Sequence, residues 1–153
     1  VKKPGPPADA RDKDPEKQPL KILLVEHRPM DCRVAETIIR KRGHEVSVVD
    51  SGRKALEAIR SESFDVVIME TQVPEMDGLE VTAVVRESEV VAGSYVPIVG
   101  LISQPQSGSR QCCLSAGMDE VIVKPVRDEE LHRAICSVME LKRDRDSKKR
   151  NAA

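Results

Sequence analysis

The sequence predicts an α/β fold in which a doubly wound, five-stranded parallel sheet carries helices on both faces. Two observations lead to this prediction: short continuous apolar runs alternate with segments of helical periodicity, and no internal repeat is visible. Right-handed crossovers favour the strand order 2-1-3-4-5. A chain of 153 residues is long enough for one domain with a substantial core.

The strands and helices follow one another in a regular order. Five apolar runs are too short for helices and are bounded by turn residues, which predicts strands at KILLV (21–25), EVSVV (45–49), DVVIM (65–69), PIVGLI (97–102) and EVIV (120–123). Five helices are predicted. The first runs from Pro29 to Gly43, the second begins after a Ser51 cap, and the third runs from an Asp77 cap to about Ser88. The fourth covers 107–116, and the fifth runs from an Asp128 cap to Leu141.

The two ends of the chain differ from the middle in composition. Residues 1–19 hold five of the ten prolines and almost no apolar side chains, which predicts a disordered linker. Residues 142–153 carry six Lys/Arg and two Asp/Glu, which predicts a basic, disordered tail. The folded domain is therefore expected over 20–141. A chain that starts at Val1 rather than Met suggests a segment of something longer or a processed product.

The composition excludes several classes of function. With one Phe, one Tyr and no Trp, the chain lacks the stacking surface of a single-stranded nucleic-acid binder and the aromatic belt of a membrane protein. No apolar run approaches the roughly 18–20 residues of a membrane span. The polar N-terminus lacks a signal peptide, so we expect a cytoplasmic protein whose four cysteines are small buried apolar residues. A redox pair at Cys112–Cys113 is the less favoured alternative.

Polar side chains follow four of the predicted strands where those strands end. In this sheet order the carboxyl ends lie at one edge, which brings together Glu26, His27, Glu70, Thr71, Ile102, Ser103 and Lys124. Carboxylates beside a lysine indicate hard-cation and phosphoryl chemistry. The alternative is that these are ordinary polar strand ends facing water.

Several motifs then point to one family. They are KILLVEH (21–27), RGHEV (42–46), FDVVIME (64–70), QVPEMDGLE (72–80), VPIVGLIS (96–103) and AGMDEVIVKPV (116–126). In order and spacing, 20–141 resembles a receiver domain of the two-component response-regulator family. The GLE and AGMD segments are most similar to receivers attached to hybrid sensor kinases, and such a parent protein would account for the proline-rich front segment.

The resemblance implies a flavodoxin-like fold and assigns positions to a phosphoryl site. The acid pair that binds magnesium falls on Glu26 and His27, with a backbone carbonyl at Gln72. The phosphoacceptor position falls on Glu70, the switch hydroxyl on Ile102, the switch aromatic on Val121 and the lysine on Lys124, whose bond to Pro125 is expected to be cis.

Four of these positions depart from the family pattern. His27 removes an oxygen ligand for magnesium, because imidazole suits other metals better. Glu70 carries its carboxylate one methylene farther than Asp, and displacements of about 1 Å cost roughly a hundredfold in rate. By reaching Lys124, Glu70 would alternatively imitate a phosphorylated aspartate. Ile102 lacks a hydroxyl and Val121 lacks a ring. No cofactor is therefore expected, with magnesium needed only if the site is active.

Three functions remain open at this stage. The favoured one is a pseudo-receiver, not an enzyme, that binds a histidine kinase, a phosphotransfer domain or an output domain through helix 1 or through the helix 4–strand 5–helix 5 face. The second is an active phosphorelay receiver that uses Glu70 as an atypical phosphoacceptor. The third is a flavin or nucleotide carrier, for which the loop EHRPMD (26–31) lacks the required glycines or hydroxyls. Neither nucleic acid nor membrane insertion is expected.

Overall fold

A computed structural model of the protein describes residues 13–152, in which strands and helices alternate along the chain. The strands are β1 (Lys21–Val25), β2 (Glu45–Val49), β3 (Val66–Glu70), β4 (Ile98–Ile102) and β5 (Glu120–Val123). The helices are α1 (Pro29–Lys41), α2 (Gly52–Ser61), α3 (Gly78–Ala92), α4 (Ser109–Ala116) and α5 (Asp128–Asn151).

The five strands form one parallel sheet in the order β2-β1-β3-β4-β5, which confirms the predicted fold. Every residue of β3 and of β4 is buried, because helices cover both faces of these central strands. β2 lies at the edge and is only partly covered, which explains the alternating pattern of EVSVV. The continuous apolar runs thus mark the centre of the sheet.

Two aliphatic layers form the core, one on each face of the sheet. On one face Ala35 and Ile39 of α1 pack with Leu131 and Ile135 of α5. On the other face, residues of α2, α3 and α4 pack against β1, β3 and β4. Among residues 13–152, no helix combines the length and the apolar character needed to cross a membrane.

Polar side chains define where two of the helices begin. Ser51 Oγ accepts a hydrogen bond from the Lys54 amide at 3.1 Å, and Asp77 Oδ1 accepts one from the Glu80 amide at 2.9 Å. Both predicted N-caps are thereby confirmed. The predicted cap at Asp128 is wrong: this residue is the first of α5, and its carboxylate accepts a hydrogen bond from Arg42 Nε at 2.8 Å.

Helix α5 is longer than the sequence predicts, since residues 142–151 continue it where a disordered tail is expected. Two contacts hold the extension against the loop before β4. The Arg145 guanidinium lies 3.8 Å from the centre of the Tyr95 ring, and Lys149 Nζ donates to the Gly93 carbonyl at 2.7 Å. Lysine and arginine in the last turn also complement the helix dipole.

Part of the predicted front linker contacts the domain. Lys13 Nζ lies 2.9 Å from Asp65 Oδ2, and Pro15 is buried. The same carboxylate oxygen accepts the Lys21 amide at 2.7 Å, so Asp65 ties the front segment to the start of β1. The rest of the predicted linker, 1–12, and residue 153 lie outside the described residues.

Tyr95 lies between two guanidinium groups and beside a carboxylate. Arg86 and Arg145 lie 3.9 and 3.8 Å from its ring centre, and its hydroxyl donates to Asp119 Oδ1. Burial raises the pKa of Tyr95 to about 12, and the hydrogen bond to Asp119 acts in the same direction against the two arginines. The neutral phenol is therefore favoured in the folded state.

We expect the phenolate absorbance of the folded protein to titrate with a midpoint near 12, against 10.0 for an ordinary tyrosine. The chain has one Tyr and no Trp, so ultraviolet difference absorbance reports this group alone. Because folding favours the protonated form, the stability linked to Tyr95 is complete below pH 10 and is lost as the pH rises towards 12. The urea-unfolded chain is the control, and equal midpoints in the two states would contradict the prediction.

Candidate functional site

The carboxyl ends of four strands bring the predicted site residues to one edge of the sheet. Glu26 and His27 follow β1, Glu70 ends β3, Ile102 ends β4, and Lys124 follows β5. The β1–β3 junction is the point where the strand order reverses, which is where sheets of this kind bind their ligands. The Lys124–Pro125 bond after β5 is cis.

Lys124 is the central charge of this edge. Its ammonium nitrogen lies 2.5 Å from Glu26 Oε2 and 2.9 Å from Asp31 Oδ2, and it also contacts Glu70 Oε2. The Lys124 side chain is only 9% exposed. Burial alone lowers the pKa of Lys124, but the hydrogen bonds to Glu26, Glu70 and Asp31 outweigh it and raise that pKa above its usual value. Lys124 is therefore a fixed positive charge shared by three carboxylates.

Glu26 is buried and uses both carboxylate oxygens. Oε1 accepts the backbone N–H groups of His27 and Arg28, each at 3.1 Å, while Oε2 pairs with Lys124. These contacts fix the turn that connects β1 to α1. The His27 side chain is one-third exposed, and its Nδ1 lies 3.9 Å from Glu26 Oε1, beyond hydrogen-bond distance.

Glu70 is fully buried, and both of its carboxylate oxygens have protein partners. Oε1 accepts the Gln72 amide at 3.1 Å and the Thr71 hydroxyl at 3.5 Å. Oε2 accepts the Ser103 hydroxyl at 3.2 Å and pairs with Lys124. The Gln72 side chain is exposed, so this residue contributes to the site through its backbone.

The loop after β3 holds Glu70 in place through two close backbone approaches. The Gly52 amide donates to the Pro74 carbonyl at 3.1 Å, and a Cβ on Gly52 would lie 1.6 Å from the Met76 carbonyl oxygen. A Cβ on Gly78 would lie 2.6 Å from the carbonyl oxygen of Glu70 itself. Both positions therefore require glycine, and the loop has one tightly packed arrangement.

Ile102 and Val121 stand at the two positions that the resemblance assigns to a switch. Both are buried, 5% and 7% exposed, in the apolar layer that also holds Met69 and Val25. Neither side chain has a polar atom to direct towards Lys124 or Glu70. Their packing is that of ordinary core residues.

The structure adds Asp31 and Arg28, which the sequence analysis did not assign to the site, and it gives a partner to Ser103, which was expected at this edge. Asp31, in the first turn of α1, reaches Lys124, and Ser103 supplies a hydroxyl to Glu70 from the residue after Ile102. Arg28 Nη1 donates to Ser103 Oγ at 3.1 Å and so extends the network. The acidic residue two positions after Pro29 is the one signal that pointed to Asp31, since a first-turn side chain faces back towards the strand ends.

The arrangement is a poor fit for magnesium. This ion needs near-octahedral oxygen ligands and keeps several waters. At the described strand ends, the oxygens of Glu26 and Glu70 already accept backbone amides, hydroxyls or the Lys124 ammonium. His27 offers nitrogen where a second acid would offer oxygen. A metal would have to displace several of these hydrogen bonds.

Comparison with known proteins identifies the class. The family model described as the response regulator receiver domain matches residues 22–136. The chain therefore belongs to the response regulator receiver family of two-component signalling.

Three related proteins illustrate the similarity. The autoinducer 2 sensor kinase/phosphatase LuxQ of Vibrio vulnificus is 36% identical over 115 residues, which cover 75% of this chain and 13% of LuxQ. The receiver domain of the sensor histidine kinase PA1611 of Pseudomonas aeruginosa, solved with a coordinated magnesium ion, is 32% identical with a TM-score of 0.72, over 80% of this chain and 98% of that one. The Saccharomyces cerevisiae receiver domain of Ssk1, solved with the phosphotransfer protein Ypd1, shares the fold at 21% identity and a TM-score of 0.71, over 76% of this chain and 86% of that one.

The lengths of the curated relatives differ greatly from that of this chain. It spans 16% or less of each of those that match first. The similarity is therefore one to the receiver portion of much longer kinases.

Proposed function

We propose that this receiver domain does not accept a phosphoryl group and acts as a protein-interaction or regulatory module. One observation carries the proposal: the Glu70 carboxylate, at the phosphoacceptor position, is buried and already bound by Lys124 and by the Ser103 hydroxyl. A lysine and a hydroxyl are the groups that the family resemblance assigns to an incoming phosphoryl group. Here the Glu70 carboxylate binds the lysine ammonium and a hydroxyl instead.

The placement of Glu70 also opposes nucleophilic attack. A carboxylate attacks phosphorus through a free lone pair held in line with the leaving group, and positional errors of about 1 Å cost roughly a hundredfold. Both Glu70 oxygens accept hydrogen bonds from groups on three different segments. Freeing one would leave a buried donor unpaired, at a cost of about 1–3 kcal/mol.

The positions that would couple phosphorylation to movement are apolar. Ile102 has no hydroxyl to follow a phosphoryl oxygen, and Val121 has no ring to change place. Both side chains are buried in the same layer. This supports a domain that stays in one state rather than one that switches.

We infer that Glu70 acts as a permanent substitute for a phosphoryl group and so keeps the domain in this single state. It places one negative charge against Lys124, whereas a phosphate carries about −1.5 to −2. The proposed module therefore has no magnesium requirement and no catalytic activity of its own. A histidine kinase is the proposed parent protein, on the strength of the curated relatives.

The partner proposal rests on exposed apolar side chains. Met30 and Val34, four residues apart on α1, are 72% and 45% exposed, and Val123 at the end of β5 is 45% exposed. These residues lie on helix 1 and on the helix 4–strand 5–helix 5 face. We propose that one of these faces binds a phosphotransfer, kinase or output domain, as the Ssk1 receiver is found with the phosphotransfer protein Ypd1.

A cytoplasmic location is proposed on separate grounds. The described part of the chain contains all four cysteines, and each is a free thiol. Two of them, Cys112 and Cys113, are adjacent and still unpaired in the structure. Free thiols are usual in a reducing compartment.

We expect no phosphoryl adduct when the protein is incubated with magnesium and a small phosphodonor, or with magnesium and beryllofluoride. Intact mass reports the covalent adduct, and amide chemical shifts report binding at residues 26, 70 and 102. The reason is that Lys124 and Ser103 are occupied by Glu70. A receiver with the full acid pair and Asp phosphoacceptor, treated in parallel, controls for the reagents.

A stable adduct, or shifts confined to residues 26, 70 and 102, would favour the second candidate, an active receiver with Glu70 as phosphoacceptor. Glu70→Gln distinguishes the two outcomes further. If Glu70 is the acceptor, Glu70→Gln forms no covalent adduct. The phosphodonor still binds without transferring its phosphoryl group, and the amide chemical shifts report that binding.

A further inference from the structure

A second cluster of ionisable side chains lies away from the strand-end site, where the front segment meets α5. It consists of Glu16, His132 and Cys136, whose potential ligand atoms all lie within 4.8 Å of one another. His132 and Cys136 are four residues apart on α5 and so occupy the same helix face. The geometry points to a transition-metal site, with Zn²⁺ as the fitting ion, that joins the front segment to α5.

Two of the three distances between the side chains are close to the edges of a tetrahedral zinc site. His132 Nε2 lies 3.6 Å from Cys136 Sγ and 3.7 Å from Glu16 Oε1. Tetrahedral zinc with bonds of about 2.3 Å to sulfur and about 2.0–2.1 Å to nitrogen and oxygen separates its ligands by roughly 3.3–3.6 Å. The third pair, Glu16 and Cys136, lies within 4.8 Å, and Cys136 Sγ also lies 4.0 Å from His132 Nδ1. Metal binding would therefore require Glu16 to close towards Cys136 and the His132 ring to turn Nε2 towards the ion.

The chemistry of the three ligands selects the metal. A thiolate, an imidazole and a carboxylate suit Zn²⁺, whereas Mg²⁺ and Ca²⁺ prefer oxygen ligands alone. Three protein ligands leave the fourth tetrahedral position to water, and Glu16 is exposed enough to admit one. On binding, the Cys136 thiol gives its proton to solvent, and sulfur then bonds to zinc as the thiolate.

The site would fasten a segment that is otherwise held by few contacts. Residues 14–18 form a turn in which the amides of Lys17 and Gln18 donate to the Asp14 carbonyl. Lys13 pairs with Asp65 at the start of this segment. A zinc ion on Glu16 would add a direct link from the turn to α5, so that metal binding sets the direction in which the preceding chain leaves the domain.

Cobalt substitution of the full 153-residue chain tests this inference. We expect one Co²⁺ per chain, with a thiolate-to-cobalt charge-transfer band and the intense visible bands of four-coordinate cobalt, displaced by one equivalent of Zn²⁺. In Cys136→Ser and His132→Gln the zinc affinity, measured against a competing chelator, should fall by more than about 100-fold, since even the loss of an outer-shell partner costs 10–100-fold. Zinc should slow proteolysis of the front segment, and Glu16→Gln should weaken zinc binding and remove this protection.

Cys112→Ser is the matched control, because Cys112 is an exposed cysteine on α4 outside the cluster. It should retain the charge-transfer band and the affinity of the parent chain. Circular dichroism and urea unfolding show whether each variant still folds. The inference is overturned if folded Cys136→Ser binds zinc as the parent does, or if the band is lost in Cys112→Ser instead.

Discussion

Replacing Lys124 by Met is expected to lower the free energy of unfolding by about 3–5 kcal/mol, the usual cost of removing one partner from a buried ion pair. The Lys124 ammonium is the common partner of Glu26, Glu70 and Asp31, and the first two carboxylates are 1% and 0% exposed. Without it, the two buried carboxylates lose the cation that they share. Urea unfolding followed by circular dichroism at pH 8 measures the loss.

Two variants make this result specific to the buried network. Lys54→Met removes an exposed lysine that pairs with Asp50 along α2, and it should change stability little because such pairs are weak. Adding Glu70→Gln to Lys124→Met should recover part of the loss, because it removes one of the uncompensated charges. A loss in Lys124→Met no greater than that in Lys54→Met would show that Lys124 does not hold the strand ends together.

The difference in stability between the parent chain and Lys124→Met should depend on pH in a defined direction. The pKa of Lys124 is raised in the folded state above 10.5. Its contribution to stability is therefore complete below pH 10.5 and is lost as the pH rises through the folded-state pKa. The difference in the free energy of unfolding between the parent chain and Lys124→Met should accordingly become smaller above pH 10.5. The stability linked to Tyr95 is lost equally in both proteins.

The sheet could be predicted from the sequence because its central strands are apolar without interruption. Helices cover both faces of the strands in FDVVIME and PIVGLI, so these runs are continuously apolar. They are also too short for helices, which is why the sequence predicts strands. The length of α5 could not be predicted in the same way. Its last turns are polar, and they are held by Arg145 on Tyr95 and Lys149 on Gly93, two contacts between segments about 50 residues apart.

The site likewise contains residues that the sequence could place and contacts that it could not. Glu26, Glu70 and Lys124 could be placed because the carboxyl ends of parallel strands must meet. Asp31 could not, since its contact with Lys124 depends on where the first turn of α1 points. Ser103 was expected at this edge, but its hydrogen bond to Glu70 depends on the direction of a strand-end side chain. Ser103 is instructive: the resemblance directs attention to Ile102, yet Ile102 packs into the core and the next residue supplies the hydroxyl.

Glu70→Asp alone is not expected to give a phosphoryl acceptor. The shorter side chain would withdraw from Lys124, which still pairs with Glu26 and Asp31, and would make room for a phosphoryl oxygen beside it. His27 nevertheless still supplies nitrogen where magnesium needs oxygen, and Ile102 still lacks a hydroxyl. The triple variant Glu70→Asp, His27→Asp, Ile102→Thr restores all three features. We expect it to accept phosphate from a small donor at least about 100-fold faster than Glu70→Asp, because it adds an oxygen ligand for magnesium and a hydroxyl donor, and the loss of one donor to developing charge typically costs about 10²–10³-fold.

Intact mass after timed exposure to the donor and magnesium measures both rates, and omission of magnesium should abolish the reaction of the triple variant. The triple variant with Lys124→Met is the internal control, because it keeps the acid pair and the hydroxyl but lacks the ammonium. Robust, magnesium-dependent phosphorylation of Glu70→Asp by itself would mean that the carboxylate length at position 70 is the sole block. In that case His27 and Ile102 would be incidental, and Ser103 would be the hydroxyl that serves the phosphoryl group.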